Sequence, residues 1–148
     1  MKPIACRLMA IFLALGLCFA SLQSFAAEKS FADTKVVLQI SDNDPFKQTL
    51  VLNVANNLIN HYGPDQVAIE IVAFGPGLRL LFAENANKGR IQSLAGNGVR
   101  FAACGNTVRN MGKILGEEPA LNKSATIVPG GVVRILDLEK QGYKLIKP

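Results

Sequence analysis

Apolar residues fall along this chain in short, nearly unbroken runs separated by stretches with helical spacing. That is the pattern of strands covered on both faces alternating with helices. Lys35 to Ile40 (KVVLQI) predicts a first strand that ends in Ser41-Asp42-Asn43-Asp44-Pro45, where Asp44 caps a helix whose first position is Pro45. Phe46, Leu50, Val51, Val54, Leu58 and Ile59 form the predicted buried stripe of that helix, which closes near His61 and Gly63-Pro64. Val67 to Phe74 predicts a second strand, broken by Gly75-Pro76-Gly77 before a short apolar helix around Leu78 to Ala83; another short helix covers Ile91 to Leu94. Val99 to Ala103 is the third strand, Cys104-Gly105 the turn, and Asn106 to Met111 the start of a further helix. The stretch from Gly112 through Ser124, with its glycines, Pro119 and adjacent acids, reads as a partly irregular excursion. Ala125 to Val128 is the fourth strand. Gly130 to Gln141 is a helix with Val132, Ile135, Leu136 and Leu138 inward, and Tyr143 to Ile146 is the last strand. Strands separated by helices imply right-handed crossovers, hence a three-layer α/β/α domain on a mostly parallel five-stranded sheet.

The segment ahead of this alternation is of another kind. Lys2 and Arg7 precede an apolar run from Leu8 to Ala20, and Ser24-Phe25-Ala26 followed by Ala27 offers small residues for cleavage. These features identify residues 1–27 as a secretory signal too short to make a good membrane span, and leave 28–148 as one exported domain. A bacterial periplasmic location follows as the expectation, with no membrane association after cleavage. Removing the signal takes Cys6, Cys18 and two positive charges, so fourteen Lys plus Arg face eleven Asp plus Glu. The balance is mildly basic and the charges are scattered. With neither a basic run nor an aromatic platform, nucleic acid is not an expected partner.

A single cysteine, Cys104, then remains, and it cannot form a disulfide within its own chain. It stands where a strand runs into a glycine and a new helix, a geometry that favours an exposed, reactive thiol. In open parallel sheets chemistry collects outside the carboxyl ends of the strands. Four turns are expected to converge there: Ser41 to Pro45, Gly75 to Gly77, Cys104 to Thr107, and Pro129 to Gly131. A thiol at a helix amino end faces unpaired N–H groups and the positive end of the helix dipole, both of which favour thiolate. Arg100 and Arg109 are candidates to add to that effect. Four readings of Cys104 stand open: an inert core residue, an intermolecular bridge, a reduced redox centre, or a carrier of transferable sulfur. Gly105, Asn106 and Thr107 beside it are helix-start residues placed to contact a persulfide or small ligand. The N–H groups of Gly130 and Gly131 are candidates for an anion such as a sulfur oxyanion.

Other features have simpler explanations. His61, the only histidine, sits at a helix carboxyl end far along the chain from Cys104. Asp42-Asn43-Asp44 begins like a calcium loop, yet no glycine follows at the required turn and Asn53 replaces the closing glutamate. Gly75-Pro76-Gly77 lacks the third glycine of a dinucleotide fingerprint. One cysteine and one histidine do not make a zinc or iron–sulfur site, so neither metal nor cofactor is expected. No base pairs with Cys104 in the pattern, which leaves exchange of sulfur or of a disulfide as the chemistry needing least machinery.

Gly98-Val99-Arg100-Phe101-Ala102-Ala103-Cys104-Gly105-Asn106-Thr107, then Ile127 to Val132 (IVPGGV) and Gln141 to Pro148 (QGYKLIKP), resemble the DsrE/DsrF-like family, and the likeness runs from about Lys35 to Pro148. The resemblance implies a compact α/β domain with a five-stranded, mostly parallel sheet that assembles as a homo-oligomer, a trimer or hexamer. It also implies a cysteine after the third strand that accepts sulfur as a persulfide from a donor protein and hands it to an acceptor; Cys104 falls at that position. The competing expectation is a non-enzymatic periplasmic module whose oligomer presents the turn cluster to a small ligand or protein.

Overall fold

The computed structural model describes residues 32–148, and the predicted signal at 1–27 lies outside the described residues. Five strands, β1 (Thr34–Ile40), β2 (Val67–Ala73), β3 (Arg100–Cys104), β4 (Ala125–Val128) and β5 (Lys144–Ile146), form one sheet in the order β4-β3-β2-β1-β5. Every pairing is parallel. Four helices connect them: α1 (Pro45–Tyr62), α2 (Lys88–Gly96), α3 (Gly105–Leu115) and α4 (Gly131–Lys140), with a 3-10 segment at Gly75–Leu81.

The strand order decides how the layers are filled. From β1 to β4 the chain steps in one direction, so right-handed crossovers put α1, the 3-10 segment, α2 and α3 on one face; the return from β4 to β5 puts α4 on the other. The two cores agree with this. Val36, Leu38, Ile40, Ile69, Ile71, Ala73, Phe101 and Ala103 pack with residues of the first four helical elements, while Val37, Ala68, Val72 and Ala102 pack with Ile135, Leu138 and Tyr143. One face is covered by several elements and the other by one short helix.

The predicted punctuation of α1 holds. Asp44 accepts a hydrogen bond from Phe46 N at 2.8 Å with Pro45 next in line, and Gly63 ends the helix by donating to the Ile59 carbonyl at 2.8 Å. Its facing is different. Phe46 and Leu50 are exposed, whereas Leu52 and Ala55 join Val51 and Ile59 in the core. The same correction applies to α4, where Ile135 and Leu138 point inward but Val132 and Leu136 are exposed along with Val133. The expected short helix begins earlier, at Gly75, as a 3-10 turn. α3 runs on through Gly112 to Leu115 and closes at Gly116 in the left-handed region, φ 88°. Gly112 is therefore no breaker: a Cβ there would lie 2.9 Å from Glu118 Cγ and 3.2 Å from its Cα, so glycine permits the returning chain to cross the helix closely.

Candidate functional site

Three of the four strand-to-helix connections turn to one face of the sheet, and only the one after β4 turns to the other. The switch therefore falls between the carboxyl ends of β3 and β4, the position where open α/β sheets leave a crevice. Cys104, the last residue of β3, is paired there with Val128, the last of β4. Local sequence and long-range topology converge on the same residue.

Cys104 is the N-cap residue of α3, and Gly130 is the N-cap residue of α4. Two helix amino ends are thus directed at one sulfur. Gly131 sits tight against the thiol: a Cβ at that position would lie 3.2 Å from Cys104 Cβ and 3.0 Å from both Cβ and Cδ1 of Phe74, so only glycine brings the α4 backbone this close. Gly105 plays the matching part on α3, where a Cβ would stand 3.0 Å from the Val128 carbonyl oxygen. Asn106 is exposed at the rim, with its Nδ2 facing Gly130. Thr107 is half-buried, and its Oγ1 accepts a hydrogen bond from Gly75 N at 3.0 Å. With its lone pair engaged by Gly75, the Thr107 hydroxyl proton is available to the sulfur.

The expected exposed thiol is not found. Cys104 is 6% accessible, with Gly131 at the amino end of α4 packed between it and Phe74. Burial alone pushes the thiol up, yet its pKa lies below the ordinary thiol value. Donation from the Thr107 hydroxyl, and from the backbone N–H groups of Gly131, Thr107 and Asn106, together outweighs the desolvation. The thiolate is the species these donors favour. A small, shielded, anion-stabilising site is the result.

The four expected turns do meet. Gly75 bonds Thr107, Gly77 N donates to the Ser41 carbonyl at 3.1 Å, and Gly131 abuts Cys104. Asn106, Thr107 and Gly131 lie at the thiol, whereas Gly105 packs against the Val128 carbonyl and Gly130 against Asn106 and Val133. Arg100 is a different matter: it stands at the opposite end of β3, bonded to Glu70 Oε2 at 2.9 Å, and has no part in the thiol's surroundings. Arg109 donates to the Asn106 side chain at the rim. Beside the thiol, a groove of about 670 Å³ runs between Gly75-Pro76 and α3, and its charged lining residues, Arg109 and Lys113, are both basic.

His61 lies at the end of α1, edge-on to the Tyr62 ring at 4.6 Å. Asp42 pairs with Lys47 at 3.1 Å and Asp44 serves as the cap, which uses both acids of the calcium-like loop. Among the described residues no group of three or more His, Cys, Asp or Glu is placed to hold a metal, and no helix is long and apolar enough to cross a membrane. Two contributors were missed by sequence reasoning. Phe74, which packs against Gly131 beside the thiol, looks like any strand-end aromatic. Glu70 carried a readable signal: it is the one charge inside an otherwise apolar strand (VAIEIVA), and a buried charge demands partners.

No protein-family model matches the chain, and no curated protein does either. The solved structure of MTH1491, a protein of unknown function from Methanobacterium thermoautotrophicum, is similar over 78% of this chain and 100% of its own, with 31% sequence identity and a TM-score of 0.71. The two belong to one family. The likeness to MTH1491 carries the fold, and no activity comes with it.

Proposed function

We propose that this protein is an exported sulfur carrier that accepts sulfur as a persulfide on Cys104. The observation that carries the reading is a thiol held below its ordinary pKa in spite of burial, at the sheet's switch point, between two helix amino ends. The step balances without an added oxidant. The Cys104 thiolate attacks the outer sulfur of a donor persulfide, a bond forms between Cys104 Sγ and that sulfur, the donor's S–S bond breaks, and the donor leaves as a thiolate with the electron pair. The same donors then stabilise the new terminal anion, and Asn106 at the rim is placed to contact a sulfur extending outward. Resemblance of the Cys104 motif to sulfur-relay sequences supports this assignment, and the sequence of residues 1–27 supports a periplasmic location. The exposed Val132, Val133 and Leu136 of α4 and Ile127 of β4 supply apolar surface suited to a homo-oligomer, a trimer or hexamer.

Intact-mass spectrometry after incubation with a low-molecular-weight persulfide, followed by reduction, tests the proposal. Wild type is expected to gain one reducible sulfur and Cys104→Ser none; a wild-type protein that is alkylated at Cys104 but never loads would end it. A second reading, a binding module, draws on the groove beside Asn106 and Thr107, whose basic residues suit an anionic ligand. That reading expects Cys104→Ser to leave ligand binding unchanged.

A further inference from the structure

Glu70 is the one Asp, Glu, Lys or Arg that is almost wholly buried among the described residues, 2% accessible in the middle of β2. It faces α4. Its Oε1 accepts from Arg134 Nε at 2.6 Å and its Oε2 from Arg134 NH2 at 2.7 Å, a bidentate pair, and Oε2 also accepts from Arg100 Nε at 2.9 Å. Arg100 in turn donates to the Tyr143 hydroxyl at 2.8 Å. Buried ion pairs of this kind add little net stability over apolar packing, since desolvation offsets most of the attraction. What they supply is direction.

α4 needs direction. Its other anchors, Ile135 and Leu138, fix how deeply the helix lies on the sheet, but apolar contacts resist sliding and rolling weakly because they have no preferred angle. Arg134 closes the first turn of α4, its N–H donating to the Gly130 carbonyl at 2.9 Å. It lies about 4.5 Å along the helix axis from Gly131, and Gly131 has less than a methyl group's clearance from Cys104 and Phe74. A small slide of the helix would therefore withdraw the Gly131 N–H from the sulfur.

We infer that the Glu70–Arg134 pair is a positioning device, pinning the first turn of α4 to the central strand so that the Gly131 N–H stays on Cys104. This rests on the reading of Cys104 as a reactive thiolate. Glu70 and Arg134 act through the helix rather than as donors to the sulfur.

The test is the pH profile of Cys104 alkylation by iodoacetamide in the whole mature protein, with folding checked by circular dichroism. The midpoint of the profile reads thiolate stability, and its high-pH plateau reads access. Arg134→Leu leaves Glu70 paired with Arg100, so the fold is expected to survive while the midpoint moves to higher pH and the rate near neutrality falls about tenfold, as loss of one hydrogen bond to an anion implies. Arg134→Lys, which keeps the charge but not the fork, should fall between. Arg100→Gln takes a cation from the same carboxylate but leaves the Arg134 fork on Glu70 in place, and should keep the wild-type midpoint. A folded Arg134→Leu with the wild-type midpoint, or an Arg100→Gln shift as large as that of Arg134→Leu, overturns the inference. If Arg134→Leu does not fold, an unmoved midpoint in Arg134→Lys overturns it instead. A wild-type midpoint at the ordinary thiol value sinks the thiolate reading itself, and the positioning role with it.

Discussion

Thr107→Val separates the thiol's chemistry from the site's architecture. Valine keeps the shape of the side chain and deletes the hydroxyl, which accepts from Gly75 N at 3.0 Å and donates toward Cys104. Two consequences are expected, with different readouts. Folding loses one hydrogen bond and leaves the half-buried Gly75 N–H without its acceptor, about 1–3 kcal/mol, measured as a lower urea midpoint at unchanged slope. The thiolate loses a donor that the neutral thiol needs far less. Hydrogen bonds to charged groups are worth about 1.5–3 kcal/mol, so the thiolate population near neutral pH should fall by about tenfold or more. Iodoacetamide alkylation across a pH series reads this directly, with the profile moving to higher pH. Thr107→Ser restores the hydroxyl and should recover both quantities. If Thr107→Val is destabilised as expected but alkylates with the wild-type profile, the hydroxyl serves only Gly75 and the account of the thiol is wrong.

Gly131→Ala should destabilise by about 1–3 kcal/mol, because the added methyl meets Phe74 at 3.0 Å and Cys104 at 3.2 Å in a packed site; urea unfolding checks it, and the variant should also alkylate more slowly near neutrality. The lowered thiol pKa links to stability with a definite sign: the thiolate's contribution is fully present above the unfolded thiol's value and is lost as pH falls through the lower native value. The urea midpoint of wild type relative to Cys104→Ser should therefore rise from neutral pH to about pH 9. Phe46→Ser, at a residue 86% exposed, should change stability by no more than about 0.5 kcal/mol; a loss of several times that would restore the sequence-based facing of α1.

What could be read from the sequence was local. The apolar runs marked all five strands, Asp44-Pro45 and Gly63 marked the ends of α1, and a cysteine between strand and helix marked the site. What could not be read depended on neighbours distant in the chain. Phe46 and Leu50 fit an apolar stripe as well as Leu52 and Ala55 do, and only the docking of α1 on β1 and β2 chooses between them. Val132 and Leu136 fit an inward stripe with Ile135 and Leu138, but α4 lies alone on its face and no neighbouring helix among the described residues covers its flanks. The burial of Cys104 follows from strand order: with β4 beside β3, the amino end of α4 must come down on the thiol, and nothing in the residues around Cys104 announces that. Glu70 was legible and overlooked. A lone charge in an apolar strand foretells a cation from elsewhere, here two arginines 30 and 64 residues away.

The strand order also sets a sequence of events for folding. β1 through β4 assemble by neighbour-to-neighbour crossovers, each closing a modest loop, whereas β5 must return across the whole sheet to β1, where three residue pairs hold it: Val36 with Lys144, Val37 with Leu145, and Leu38 with Ile146. Contacts so far apart in sequence form late, since the loop must close before they contribute. The amides of β5 and of α4 should therefore exchange with solvent through a partial opening that leaves β1 to β4 protected. Because α4 is also the cover of Cys104, that same opening would set the rate at which a bulky reagent reaches a sulfur that small ones meet in the closed protein.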